Sequence, residues 1–153
     1  MIDRSHIGTT LPPFQFEVEK GRLRFFAKAI GETRPEYFDE DAARAAGYRS
    51  IPAPPTFLMA AEMDSGATEI LLDRLGIPIE RVLHGEQSFT YHGVVCAGDR
   101  LELLSRITDI YAKKGGALEF IVKDSTLTDL ASGRCMVEMR SVIVVRNPQE
   151  TAA

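Results

Sequence analysis

Four long stretches in the second half of the chain, "VLHGEQSFTYHG", "DRLELLSRITDIY", "ALEFIVKDSTLTD" and "GRCMVEMRSVIVV", are β-branched and alternate apolar with polar residues. A period of two is how a strand shows one face to a core and the other to water, so each predicts a β-strand. The joining segments "VVCAGD", "AKKGG" and "DLASG" are turn-forming, and consecutive strands joined so briefly must pair antiparallel. Near the N-terminus "FQFEVEK" sets Phe14, Phe16 and Val18 against Gln15, Glu17 and Glu19, predicting a fifth, shorter strand. Between these the period changes. In "KGRLRFFAKAIGE", Leu23, Phe26, Ala27 and Ile30 fall at helical spacing, with Arg22, Arg24 and Lys28 on the polar side and Gly31 at the exit. "DEDAARAAG" predicts a short helix capped by Asp39 and closed by Gly47. The prolines of "YRSIPAPPTF" exclude helix up to Pro55, which itself suits a first helical turn. From Pro55 to Leu75 the residues predict one long helix that ends at Gly76 and Pro78, with Ala60, Ala61, Gly66 and Ala67 small enough to let a sheet approach it.

Strand, helix, long helix and then a run of antiparallel strands make an α+β domain in which the sheet wraps the long helix, the hot-dog arrangement. One domain is expected, over residues 8–147, with flexible termini at 1–7 and 148–153; 153 residues at 44% hydrophobic suffice for a single core. A net charge of −4 with scattered Lys and Arg offers no basic stripe, which argues against nucleic acid as partner. The opening "MIDRSHIGTTLPPF" lacks a signal peptide's apolar core, and no apolar run reaches the roughly 20 residues of a membrane span, so no membrane partner and a cytoplasmic location are expected. Cys96 and Cys135 do not form a CxxC pair and read as buried free thiols. Such a sheet leaves an edge that a second subunit would cover, so a dimer is expected.

The candidate chemistry begins with "GETRPEYFD", residues 31–39, where three carboxylates, an arginine and a phenol are concentrated. "GETRPEYFDEDAARAAGY", "APPTFLMAA" and "FTYHGVVCAGDRLEL" together resemble the MaoC-like hot-dog family of (R)-specific enoyl-CoA hydratases and (R)-3-hydroxyacyl-thioester dehydratases over nearly the whole chain. More narrowly they resemble the N-terminal type of MaoC-like domain, which includes the substrate-binding subunit of heteromeric fatty-acid dehydratases. The resemblance implies an acyl thioester of CoA or acyl carrier protein as ligand. It implies no metal or redox cofactor, because hydration needs none. The family segment reads G-D-x-N-P-x-H-x-D, in which the Asp and His work on one water as acid and base. Gly31, Pro35 and Asp39 match it, whereas Glu32 stands for the Asp, Arg34 for the Asn and Tyr37 for the His. A second departure is Pro55, where the family offers a glycine N–H to the thioester carbonyl: proline has none, and Thr56 could supply one only from a shifted loop. Phe57 follows in the same substrate-side segment.

Each candidate also has a structural reading. Given both departures, Glu32 and Tyr37 read first as a capping carboxylate and a packed aromatic, and Arg34 as a surface charge or as a clamp for a CoA phosphate or an acidic carrier. His84 and His92, eight apart, are expected on one strand face with Glu86, Ser88 and Thr90, opposite Leu83, Phe89 and Tyr91; His84 is the candidate to line a ligand pocket or an interface. His6 belongs to the N-terminal arm. Glu62 and Asp64 on the long helix raise a hot-dog thioesterase, because such enzymes carry a carboxylate there. The expected function is the acyl-binding subunit of an (R)-specific hydratase/dehydratase whose own dyad is degraded, paired in a heterodimer with an intact MaoC-like subunit. The alternatives are a self-sufficient homodimeric hydratase using Glu32, and the thioesterase.

Overall fold

The computed structural model describes residues 1–148 as one sheet with its helices on one face; of the expected C-terminal tail, residues 149–153 lie outside the described residues. The elements are β1 (Phe14–Glu17), α1 (Lys20–Ala29), α2 (Glu40–Ala45), α3 (Met59–Asp64), α4 (Ala67–Leu75), β2 (Val82–Tyr91), β3 (Arg100–Lys113), β4 (Leu118–Asp129) and β5 (Cys135–Arg146). The strand order is β1-β3-β4-β5-β2 and every pairing is antiparallel, so β1 and β2 form the two edges. Residues 1–7 follow the sheet: Arg4–His6 form a 3₁₀ turn, and Ile2 N–H donates to Glu119 at 2.5 Å. Just beyond, Gly8 N–H donates to the Ile107 carbonyl and Leu11 N–H to that of Ser105.

The ladder places inward-facing residues in rungs across β3, β4, β5 and β2. Leu103, Leu127, Val137 and Tyr91 form one rung. Ser105, Ser125, Met139 and Phe89 form the next, and Ile107, Lys123, Ser141 and Gln87 the one after. A first apolar cluster gathers Phe16, Leu23, Phe57, Leu58, Leu103, Leu127 and Met139; a second gathers Leu71, Leu72, Ile107, Ile110, Ile121 and Ile143 beneath α4.

Two expectations are corrected here. The single helix from Pro55 to Leu75 is two short helices, because Ser65 Oγ donates to the Glu62 carbonyl and accepts from Ala67 N–H, competing with the helical ladder, and Gly66 is left-handed at φ 62°. The helical conformation also begins later than Pro55, since Thr56 sits at φ 72°. His84 and His92 do not share a face. A bulge between His84 and Glu86 pairs His84 with Ile143 but Glu86 with Val142, so the strand reverses faces at Gly85. Glycine is required there: a Cβ would lie 2.7 Å from Val144 Cγ2 and 3.0 Å from the Val142 carbonyl oxygen.

Candidate functional site

Between α1 and α2 the chain turns through a 3₁₀ segment, Pro35–Tyr37, and Asp39 caps α2 by accepting from Ala42 N–H at 2.8 Å. This folds Glu32, Arg34 and Tyr37 together. Glu32 Oε1 accepts from the backbone N–H groups of Thr33 and Arg34 at 2.9 and 3.0 Å, while Arg34 Nη2 donates to Glu32 Oε2 at 2.8 Å and to Tyr37 Oη at 3.3 Å. The guanidinium also lies 4.9 Å from the centre of the Tyr37 ring. The Arg34 side-chain bonds, followed by its backbone N–H, hold the Glu32 carboxyl down at about 2. Burial raises the Tyr37 phenol, and the Arg34 charge offsets only part of that rise. No member of the cluster takes up or releases a proton near neutral pH.

Tyr37 also lines an apolar pocket of about 200 Å³ with Tyr48, Pro52–Pro55, Leu58, Tyr91 and Val95. Pro55 stands at this pocket without an N–H to offer. The next donor, Thr56 N–H, is directed at Tyr91 Oη over 3.1 Å. It is held there by a left-handed backbone that is unfavourable for a β-branched residue. Phe57 points away from the pocket into the core, 3% exposed, packed on Phe16 and edge-on to Phe26.

The remaining candidates lie elsewhere. His84 is exposed at the far end of β2, seven residues and about 23 Å along the strand from Tyr91. His92 pairs with Glu138 at 2.7 Å on the outer face. Asp64 makes a two-pronged surface bridge to Arg22. Glu62 is buried under the sheet and reaches neither solvent nor the pocket lining. Its Oε1 accepts from Ser125 Oγ at 2.5 Å, and its Oε2 lies 3.0 Å from Ser141 Oγ and 3.2 Å from Lys123 Nζ. Because Ser125 gives its proton to Glu62, Ser105 is the donor across the 2.8 Å Ser105–Ser125 contact. Cys96 is buried and Cys135 half-buried; both are free thiols, and burial raises both. Among the described residues no His, Cys, Asp and Glu group is arranged to hold a metal, and no helix is long and apolar enough to cross a membrane.

The pocket residues Tyr48, Tyr91 and Val95, and the buried Lys123, are absent from the sequence candidates. Tyr48 and Val95 come together only through the Pro52–Cys96 bridge, which no local pattern announces. Lys123 had a signal: it shares strand parity with Ile121 and Leu127, on the apolar face.

Comparison with known proteins agrees with this architecture. The chain is 35% identical over 153 residues to a UPF0336 protein of Streptomyces griseus, covering 97% of this chain and 98% of that one. It is also 35% identical over 150 residues to a UPF0336 protein of Saccharopolyspora erythraea, with coverages of 97% and 94%. The C-terminally truncated HadBC (3R-hydroxyacyl-ACP dehydratase) complex of Mycobacterium tuberculosis contains a chain of the same fold, at a TM-score of 0.79 and 24% identity over 91% of this chain and 96% of that one. So does the ChsH1-ChsH2 complex of the same organism, at 0.72 and 23% over 93% and 91%. A MaoC-like dehydratase superposes at 0.82 and 23%, over 94% of this chain and 43% of the longer one. The family model described as "FAS1-like, dehydratase domain region" matches residues 5–139, and with this hot-dog fold the chain belongs to that dehydratase family.

Proposed function

We propose that the chain is the acyl-thioester-binding subunit of an (R)-specific hydratase/dehydratase, in which a catalytically intact MaoC-like partner supplies the acid and base. One observation carries this reading: the positions of the family dyad are taken by an ion-paired Glu32–Arg34–Tyr37 cluster that does not titrate near neutral pH, while the apolar pocket beside it persists. Pro55 adds to it, since loss of one carbonyl-polarising donor costs other enzymes roughly 3 to 4 kcal/mol of barrier lowering. Arg34 is 59% exposed against 16% for Glu32, so it is the charge of the cluster best placed to meet a CoA phosphate or an acidic carrier protein. The long edge of β2 is available to a subunit of the same fold. HadBC and ChsH1-ChsH2 are themselves complexes of two different subunits, which favours a heteromer.

The test is hydration of crotonyl-CoA, followed by loss of enoyl absorbance. The protein alone is expected to be inactive, yet to bind acyl-CoA and to alter the chain-length profile of an intact MaoC-like subunit mixed with it. Turnover by the protein alone at about 1 to 10³ per second, abolished by Glu32→Gln, refutes the reading in favour of a self-sufficient hydratase. Thiol release from acyl-CoAs that is lost with Glu62→Gln refutes it in favour of a thioesterase.

A further inference from the structure

The buried polar cluster begins one rung further along the sheet than the rung that reaches the apolar pocket. Leu58 lines the pocket as the cap residue of α3, and Glu62 follows four residues later within α3, both of them buried. The sheet shows the same order. Tyr91 lines the pocket, its rung is followed by that of Ser125, Met139 and Phe89, and then by that of Lys123, Ser141 and Gln87, at about 7 Å per rung. Glu62 closes onto both of the inner rungs through Ser125, Ser141 and Lys123. Lys123 is 0% exposed, and its Nζ makes no hydrogen bond besides its ion-pair contact. A methyl terminus pressed into this region would have to displace hydrogen bonds to a buried carboxylate and separate a buried ion pair. Apolar groups cannot compensate either loss.

We infer that the Glu62–Lys123 ion pair, with its serines and with Leu58 in front, is the floor of the acyl site and restricts it to short acyl chains. The inference rests on the acyl-thioester-binding reading above. A 150 Å³ apolar cavity holds a six-carbon ring. The pocket of about 200 Å³ therefore takes an acyl chain of roughly six to eight carbons at most.

The experiment titrates the full chain with straight-chain saturated acyl-CoAs from butyryl to dodecanoyl, by calorimetry. Kd is expected to fall about fourfold per added methylene, the equivalent of about 0.8 kcal/mol, and to stop falling at roughly six to eight carbons. A Kd that keeps falling to dodecanoyl-CoA overturns the floor and leaves the acyl-binding reading intact; failure of every acyl-CoA to bind overturns both. The double variant Glu62→Met, Lys123→Met replaces the ion pair by apolar side chains and should move the break to longer chains. Leu58→Ala keeps the ion pair and should move it by about the three carbons it removes. A break that stays in place in either folded variant overturns the assignment.

Discussion

Lys123→Met leaves the Glu62 carboxylate buried with its two serine partners but without its counter-charge. Both partners of the pair are essentially sequestered, at 0% and 4% side-chain exposure, so the solvent screening that weakens surface bridges does not operate. Removal of one member of a buried pair typically costs about 3 to 5 kcal/mol. Ser125 and Ser141 still donate to the carboxylate, which places the expected loss near the lower end, at about 3 kcal/mol. In a domain of this size that should lower Tm by roughly 6 to 12 °C. Adding Glu62→Met removes the orphaned charge, and the double variant should return to within about 1 to 2 kcal/mol of the parent. Urea unfolding monitored by circular dichroism measures both losses, at matched protein concentration so that association contributes equally. A single-variant loss below about 1 kcal/mol, or a double-variant loss equal to the sum of the two single losses, refutes the claim that the pair acts as one buried unit.

Gly85→Ala should destabilise by about 1 to 3 kcal/mol, because its Cβ would meet Val144 Cγ2 at 2.7 Å and the Val142 carbonyl at 3.0 Å; unchanged urea unfolding would mean that the bulge relaxes freely. Glu32 has a folded-state value of about 2, below its ordinary 4.5, so its contribution to stability is present above pH about 4.5 and is lost as pH falls toward 2. The stability difference between the parent and Glu32→Gln should therefore be flat from pH 5 to 9 and shrink below about 4.5; a change between pH 6 and 8 refutes the ion-paired assignment.

The fold was legible because its determinants are local and repeated. Alternation marked all five strands, and Asp39 identified the start of α2 from the residue type alone. Where the reading failed, one residue changed the phase of a pattern that its neighbours carried correctly. Gly66 is compatible with a helix by composition, but next to Ser65 it adopts a left-handed backbone that splits α3 from α4. Gly85 leaves the alternation of "HGEQSFTY" apparently intact, yet it bulges and sends His84 to the opposite face from Glu86. A phase slip of this kind depends on the partner strand: the space beside Val142 and Val144, which only glycine fits, belongs to β5.

The site divides along the same line. Glu32, Arg34 and Tyr37 lie within six residues, so their proximity was readable; what was not readable was that the turn would hand both Glu32 oxygens to Arg34 and its neighbouring backbone. The buried cluster is the converse case. In "IVKDSTL" strand parity alone places Lys123 and Ser125 inward with Ile121 and Leu127, a local signal that a charge is being buried. Burial of a lysine requires a counter-charge, and the candidates on the opposing layer were Glu62 and Asp64. Helical phase decides between them. Glu62 follows the buried Leu58 by four residues and faces the sheet, whereas Asp64 is turned toward Arg22 at the surface. The carboxylate that suggested hydrolysis is thus the one whose environment commits it to the ion pair with Lys123.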